Sequence, residues 1–440
     1  MLQEEALAIF KTGANVFLTG EPGAGKTHTV NEYIRYLRQH KIDAAITAST
    51  GIAATHIGGI TIHSWSGIGI KNSLSPYDID AIASREYISK RIKHAKVLII
   101  DEVSMLSATM IDMVDAICKA VKNSHEPFGG LQIIFVGDFF QLPPINRFTN
   151  TASFAFEATA WQQANPIACY LTEQHRQDDL PFLEILSAIR SNSFDEMHLE
   201  HLHARKIESH EAPENIPKLF SHNLDVDRVN TDILKKLPGE AKNFSMRTKG
   251  TKALVMALQK GCLSPQTLSL KIGAAVMFTK NNPKEHFVNG TLGEVVAFSK
   301  LDGHPIIKIK NGRKIDAEAM DWSIEDNGRI LASVSQLPLR LAWAITVHKS
   351  QGISLDAAVM DLRQVFEFGQ GYVALSRVKR LSGLHLLGWN KRAFEVHPGV
   401  LEKDTEFRQS SDTAQTIFKD MQAEELSKMH ANFVKARGRK

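Results

Sequence analysis

Gly20-Glu21-Pro22-Gly23-Ala24-Gly25-Lys26-Thr27 is the stretch of sequence that decides the fold. An apolar run, Val16-Phe17-Leu18, precedes it, and apolar residues at helical spacing follow it: Val30, Tyr33, Ile34 and Leu37. A strand, a glycine-rich turn ending in Lys-Thr and a helix together predict a phosphate-binding loop. Its glycines let backbone N–H groups close on phosphate oxygens, while Lys26 supplies charge and Thr27 offers a hydroxyl to Mg²⁺. The alternative is a glycine-rich turn that only begins a helix.

The composition is that of an ordinary globular protein. The chain has 440 residues, of which 43% are apolar, and this length allows roughly two or three domains. No stretch approaches the roughly 20 apolar residues that a membrane-spanning helix needs, so we expect no membrane association. The amino terminus, Met1-Leu2-Gln3-Glu4-Glu5, is acidic and unlike a signal peptide. Because the cysteines, at positions 118, 169 and 262, lack metal-binding spacing, we expect a reducing, cytoplasmic location.

Positive charge is unevenly distributed. The formal net charge is only +4, which permits nucleic-acid binding without establishing it. Basic residues crowd one predicted helix and the carboxyl end: Arg85, Lys90, Arg91, Lys93 and Lys96, then Lys435, Arg437, Arg439 and Lys440. Because such runs usually form the solvated face of a helix, each cluster leaves both interpretations open.

Two kinds of pattern divide the chain. Over the first 175 residues, helical patterns alternate with apolar runs, the candidate strands being 16–18, 44–47, 97–100 and 133–136. This alternation predicts a parallel sheet covered by helices, with ligands at the carboxyl ends of its strands. From about residue 264, strand patterns with Asn289-Gly290 and Asn311-Gly312 between them predict antiparallel hairpins, which we interpret as a small barrel. The α/β pattern resumes at Leu341.

Two of the predicted strands end in polar residues. The run at 97–100 leads into Asp101-Glu102, and the run at 133–136 leads into Gly137-Asp138-Phe139-Phe140-Gln141-Leu142-Pro143-Pro144. Asp101 is suited to hold Mg²⁺, and Glu102 to orient and deprotonate a water molecule. Gln141 has the chemistry to contact a terminal phosphate or its attacking water. The alternatives are a solvated loop after the first strand and a structural glutamine after the second.

Further motifs accompany the glycine-rich loop and the two polar strand ends. They are Ala48-Ser49-Thr50-Gly51-Ile52-Ala53-Ala54, Thr61-Ile62-His63-Ser64-Trp65, Gln174-His175-Arg176-Gln177, Ala342-Trp343-Ala344-Ile345-Thr346-Val347-His348-Lys349-Ser350-Gln351-Gly352 and Tyr372-Val373-Ala374-Leu375-Ser376-Arg377-Val378. Together they resemble the motifs of the Pif (petite integration frequency) family of superfamily one DNA helicases, which has RecD-like relatives. The resemblance covers roughly residues 1 to 390.

The resemblance implies an α/β fold with two tandem RecA-like P-loop domains. The first would span 1–175 and carry a small wedge insertion at about 66–93. The second would combine 176–245 with 336–395, and the small antiparallel β-barrel at 246–335 would be inserted into it. Residues 396–440 would form a helical basic tail.

The resemblance also implies roles for residues. ATP would be held by Gly20, Gly23, Ala24, Gly25, Lys26, Thr27 and His28, with Gln3 reading its adenine edge. Arg176 and Arg377 would be arginine fingers for the terminal phosphate. Single-stranded DNA would cross both α/β domains and contact Ser49, Thr50, His63, Trp65, Phe140, Pro143, His348, Lys349 and Ser350.

Several of these roles have structural alternatives. Gln3 is alternatively part of a frayed terminus. The rings of Trp65 and Phe140 are alternatively part of the core rather than platforms for bases. Either arginine is alternatively half of a structural ion pair.

The function implied by the resemblance is that of an ATP- and Mg²⁺-dependent helicase. It would move 5′-to-3′ along single-stranded DNA as a monomer and separate a forked duplex, in repair, recombination, replication or the family's telomere maintenance. Closure of two domains around ATP, and release after hydrolysis, would alternate their grip on the strand. Two other functions stay open: a RecD-like subunit of a recombination or conjugation complex, and a nucleotide-switched clamp that binds DNA without unwinding it.

Overall fold

The chain folds into two compact units. A computed structural model describes all residues except 70, 145–152, 174–178, 214–215, 222–225, 283, 286, 288, 310, 327–328, 348–349, 351–353 and 439–440. The first unit comprises Met1–Arg176 and Pro398–Lys440, and the second comprises Gln177–His397.

The amino-terminal part of the first unit alternates helices with strands. Its helices are α1 (Gln3–Phe10), α2 (Lys26–Gln39), α3 (Gly51–His56), α4 (Ile62–Ser66), α5 (Pro76–Ala83), α6 (Glu86–His94), α7 (Ala108–Lys122) and α8 (Thr159–Ala164). Its strands are β1 (Val16–Gly20), β2 (Ala44–Ala48), β3 (Ile60–Thr61), β4 (Val97–Asp101), β5 (Gln132–Val136) and β6 (Ile167–Leu171).

These strands form one six-stranded parallel sheet in the order β3-β2-β4-β5-β1-β6. Every residue of β1 and β5 is buried, as expected for strands with apolar runs in a sheet covered on both faces. The predicted parallel sheet and its four candidate strands are confirmed. Because the strands run in the same direction, the segments that follow β1, β2, β4 and β5 emerge at one edge.

The second unit contains both a parallel sheet and antiparallel sheets. Its helices are α9 (Leu180–Arg190), α10 (Glu196–His203), α11 (Val226–Lys236), α12 (Lys252–Gly261) and α13 (Gln370–Leu375). Its strands are β7 (Lys218–Phe220), β8 (Lys242–Ser245), β9 (Arg247–Gly250), β10 (Thr267–Leu270), β11 (Ala275–Phe278), β12 (Leu292–Phe298), β13 (Pro305–Ile309), β14 (Lys314–Asp316), β15 (Met320–Asp326), β16 (Arg329–Gln336), β17 (Leu339–Leu341), β18 (Ala344–Thr346), β19 (Ala358–Leu362) and β20 (Leu384–Trp389).

The parallel sheet of this unit has the order β18-β7-β19-β20. The antiparallel sheets have the orders β14-β13-β12-β11-β17, β15-β16-β9 and β10-β8. The two predicted hairpin turns are confirmed, since Gly290 (φ 92°) lies between the paired strands β11 and β12, and Gly312 (φ 86°) between β13 and β14. Closure of this segment into a barrel stays a prediction.

The carboxyl-terminal segment forms two helices, α14 (Pro398–Asp420) and α15 (Ala423–Arg437), which pack within the first unit. The ring of Phe407 lies 4.8 Å from that of Phe17 in β1, and Ser411 Oγ accepts the backbone N–H of Tyr170 in β6 at 2.9 Å. Phe433 of α15 is buried in the cluster that contains Val16 and Leu18 of β1. No helix in the described ranges of the chain has the length and apolar character needed to span a bilayer.

Candidate nucleotide-binding site

The glycine-rich loop joins the end of β1 to the start of α2. Gly23 and Gly25 have φ angles of 95° and 86°, in the left-handed region that side chains rarely adopt. Gly25 is the N-cap of α2, so the unpaired N–H groups of the first helical turn face the loop. Lys26 Nζ donates to the carbonyl oxygens of Gly20 (2.7 Å) and Glu21 (3.1 Å). The loop therefore offers both N–H donors and an ammonium group to an anion.

Gln3 lies against this loop. It is the first residue of α1, and its backbone N–H donates to Glu173 Oε2 at 3.1 Å, so the frayed-terminus alternative is wrong. Its side-chain Nε2 donates to the carbonyl oxygen of Ala24 at 3.4 Å, and its Oε1 lies 3.0 Å from His28 Nδ1. A Cβ atom at Gly25 would lie only 2.2 Å from Gln3 Nε2. Sequence reasoning did not anticipate this packing, and the adenine-reading role stays a prediction.

The two carboxylates that follow β4 adopt an unusual backbone conformation. Asp101 pairs with Ala48 of β2, and Glu102 follows it with φ 51° and ψ 44°, which is uncommon for a residue other than glycine. The N–H of Glu102 donates to Asp101 Oδ1 at 2.9 Å. A left-handed residue of this kind costs roughly 1–3 kcal/mol and persists where the surrounding structure holds it. The bend turns the chain sharply at the edge where the phosphate loop also lies.

The surroundings of Asp101 disfavour its charged form. Burial, and after it the neighbouring Glu102 carboxylate, raise the pKa of Asp101, whereas Lys26 lowers it. A cation beside this half-buried carboxylate would favour its charged form. Divalent cations such as Mg²⁺ prefer oxygen ligands, and Thr27 presents an exposed hydroxyl in the first turn of α2. The residues predicted to hold Mg²⁺ thus have the chemistry that this ion requires.

Gln141 is held by an acidic side chain that sequence reasoning did not assign. Asp138 is fully buried and accepts the N–H of Phe140 at 3.2 Å and Gln141 Nε2 at 3.4 Å. Because β5 lies between β4 and β1, this segment emerges beside the glycine-rich loop. Asp138 belongs to the segment 137–144 that follows β5, but no sequence pattern indicates that its side chain turns inward. The contact with Asp138 restrains the side chain of Gln141.

The polar residues predicted to contact DNA in the first unit occupy half-buried or buried positions. Ser49 follows β2, and its N–H donates to the carbonyl oxygen of Asp101 at 3.0 Å, while its buried Oγ has no hydrogen-bond partner within the described ranges. Thr50 Oγ1 accepts the N–H of Ala53 at 3.2 Å. Burial lowers the pKa of His63 in α4 and so favours the neutral form of its ring. Ser49 thus lies beside the acidic strand end.

The aromatic residues predicted to stack on bases are buried. Trp65 is 4% exposed and Phe140 is 3% exposed. Pro143, in the same loop as Phe140, is half-buried. The burial supports the core-packing alternative for both rings, and their contact with DNA stays a prediction.

In the second unit, Arg377 lies in the interior. It is 2% exposed, and its guanidinium donates to the Val373 carbonyl (2.8 Å), Ser376 Oγ (2.7 Å) and the Ser350 carbonyl (3.5 Å). Ser350 is fully buried, and its hydroxyl donates to the Val347 carbonyl at 2.7 Å. Three other predicted site residues lie outside the described part of the chain: Arg176, His348 and Lys349.

A buried parallel strand, a glycine-rich turn, a helix and an adjacent acidic strand end define a P-loop nucleotide-binding protein. Residues 4–202 match the family described as PIF1-like helicase, and residues 254–298 match the DNA helicase Pif1 2B domain. The ATP-dependent DNA helicase Pif1 of Psychrobacter sp. is 40% identical over all of this chain and 75% of that relative. The chain therefore belongs to the PIF1-like helicase family.

Solved structures agree with this assignment. The Bacteroides sp. Pif1 complex with ADP-AlF4 has a TM-score of 0.80 and 30% identity, over 92% of this chain and 96% of that one. Bacteroides Pif1 bound to single-stranded DNA has a TM-score of 0.64 and 30% identity, over 94% of this chain and 98% of that one.

Proposed function

We propose that this helicase hydrolyses ATP with Mg²⁺, moves 5′-to-3′ along single-stranded DNA as a monomer, and separates a forked duplex. ATP-driven DNA unwinding is the activity of the family to which the chain belongs. The observation that carries the proposal is the meeting of the phosphate loop, Asp101-Glu102 and Gln141 at one edge of a parallel sheet. Relatives that hold ADP-AlF4 and single-stranded DNA support it.

The proposed site residues of the first unit have different roles in hydrolysis. The loop N–H groups and Lys26 bind the phosphates, and Glu102 accepts a proton from the attacking water. Gln141, held by Asp138, orients that water or contacts the terminal phosphate. Mg²⁺ held by Thr27 and Asp101 would neutralise charge that develops on the phosphate oxygens.

Hydrogen bonds within the second unit suggest how the nucleotide state reaches the strand. Arg377, a proposed finger together with Arg176, is bonded to the carbonyl oxygen of Ser350. Ser350 belongs to the segment that we propose contacts DNA with His348 and Lys349. A movement of Arg377 toward a phosphate would break this bond and remove one of the contacts that hold the turn at Ser350. Nucleotide and DNA would then favour different arrangements of this turn. Binding of either one would change the affinity for the other, which is the reciprocal coupling that a motor requires.

The proposed direction and activity are tested with two fluorescently labelled duplexes, one with a 5′ single-stranded tail and one with a 3′ tail. We expect ATP-dependent strand release from the 5′-tailed duplex only, and the same rate per enzyme across dilution. Release from the 3′-tailed duplex alone would contradict the direction. DNA-stimulated ATP turnover without strand release would instead support the nucleotide-switched clamp.

Gln3→Ala is expected to raise the KM for ATP about tenfold and to leave kcat within about twofold, because a lost hydrogen bond to bound nucleotide weakens binding without touching the reacting atoms. ATP and GTP turnover are measured side by side. If Gln3 reads the adenine edge, its removal reduces the preference for ATP over GTP.

The matched control for this prediction is Gln39→Ala, at the exposed, opposite end of α2. We expect wild-type kinetics from it. An equal rise in KM for ATP and GTP in the Gln3→Ala variant would show that Gln3 only supports the loop through Ala24 and His28.

We also propose that the protein acts in the cytoplasm, in DNA repair, recombination or replication. The three cysteines support a reducing compartment because each is buried as a free thiol: Cys118, Cys169 and Cys262. Their pKa values are raised by burial, so they are poor nucleophiles at neutral pH.

A further inference from the structure

The second unit contains a cavity of about 560 Å³ that the proposed function does not use. One side is formed by α11, including Asn230 and Leu234, and the other by β10 and the end of β17. Its volume lies within the roughly 300–1,000 Å³ that is typical of sites for small organic ligands. Leucine side chains and hydroxyl groups share its lining, so an occupant needs both an apolar and a polar part.

Arg340 is the residue that makes this cavity unusual. It lies in β17 opposite Met277 of β11, and only 8% of its surface is exposed. Its buried Nε has no hydrogen-bond partner among the residues that the structure describes. Burial lowers the pKa of the guanidinium, and the charge of Asp227 only partly offsets this. A buried cation normally has a hydrogen-bonded counter-charge, because removal from water is costly.

We propose that this cavity binds a phosphate group carried on an organic body of about nucleotide size, with the Arg340 guanidinium as its anchor. A guanidinium presents planar pairs of N–H donors that match phosphate oxygens better than a point charge does. The phosphate supplies the missing partner for Arg340, and the apolar wall accommodates the organic part.

The other charged residues of the lining agree with an anionic occupant. Lys235 and Lys271 are the further cations, and Asp227 is the acid. Lys271 Nζ donates to the carbonyl oxygen of Leu237 at 2.7 Å, which fixes its position at the cavity wall. Lys235 is exposed in the last turn of α11 and adds positive potential at the opening. The lining therefore carries more positive than negative charge.

Two sources present this chemistry: a free phosphorylated molecule and a nucleotide unit within a DNA strand. The first is tested by saturating the phosphate loop of the full chain with AMP-PNP and titrating thymidine 5′-monophosphate in a calorimeter. The second is tested by the salt dependence of oligo(dT) affinity. Loss of one phosphate contact makes the slope of log affinity against log salt concentration less steep by about 0.7. The first measurement does not depend on helicase activity, so its result is separable from the function proposed above.

We expect Arg340→Gln to lower thymidine 5′-monophosphate affinity at least tenfold, or to reduce the oligo(dT) slope by about 0.7. Arg340→Lys keeps the positive charge but loses the planar pairs of N–H donors, so it should have an intermediate effect. The control Arg313→Gln replaces an exposed arginine outside the cavity and should have none. Thr231→Trp, on the exposed face of α11, fills the space and should reproduce the loss with Arg340 in place.

Arg340→Gln removes a buried charge that lacks a partner, so we expect its unfolding temperature to equal or exceed that of the wild type. Wild-type behaviour in both titrations from folded Arg340→Gln and Thr231→Trp variants would overturn the proposal. If the Arg340→Gln variant does not fold, wild-type behaviour of the Thr231→Trp variant in both titrations is sufficient to overturn the proposal.

Discussion

Glu102→Gln is expected to lower DNA-stimulated ATP turnover by about 100- to 10,000-fold, the range that a general base contributes. Glutamine matches glutamate in size but does not accept a proton from water at neutral pH. ATP affinity should change little, because the phosphate loop and Lys26 remain intact. Turnover is measured with saturating single-stranded DNA, and affinity by equilibrium binding of a fluorescent nucleotide.

The control for this prediction is Glu126→Gln, an exposed residue of the same unit that lies away from the sheet edge. We expect wild-type turnover and an unchanged unfolding temperature from it. Glu102→Gln should also remain folded, since the amide keeps the backbone N–H that donates to Asp101 Oδ1. Wild-type turnover by the Glu102→Gln enzyme would assign the base to another residue.

The position of Glu102 illustrates what the sequence predicts well. A continuous apolar run that ends in two acids indicates a buried strand and its exit, and a parallel sheet brings such exits to one edge. The structure confirms the strand and places Gln141 and the glycine-rich loop at the same edge. The left-handed backbone of Glu102 was not predictable, because no local pattern identifies a strained non-glycine residue in advance.

Other features escaped prediction because they depend on distant contacts. The polar pattern of α14 indicates a helix but not its partner, and Arg408 reaches Tyr170, which lies 238 positions earlier. Residue type alone likewise does not decide whether an aromatic ring is buried. Trp65 and Phe140 have the chemistry to stack on bases, yet the packing around them leaves 4% and 3% of their surfaces exposed.

Lys26→Ala is expected to lower ATP turnover at least about 1,000-fold and, unlike Glu102→Gln, to weaken nucleotide binding as well. The ammonium group now lies over the loop, bonded to the carbonyl oxygens of Gly20 and Glu21. When phosphates enter, it exchanges these partners for charged oxygens, and it continues to stabilise the charge that develops during cleavage. Alanine removes both contributions. Calorimetric titration with AMP-PNP and steady-state turnover separate the two effects.

The contrast between the two variants tests the division of roles at the site. Lys26 is half-buried at the start of α2 and lies outside the buried core, so the Lys26→Ala variant should unfold at the wild-type temperature. Lys428→Ala, an exposed lysine of α15, is the matched loss of one positive charge and should bind and hydrolyse ATP normally. Retained AMP-PNP affinity in the Lys26→Ala variant would contradict a phosphate-binding role. Equal loss of affinity in the Glu102→Gln variant would show that both residues hold the nucleotide and that the base lies elsewhere.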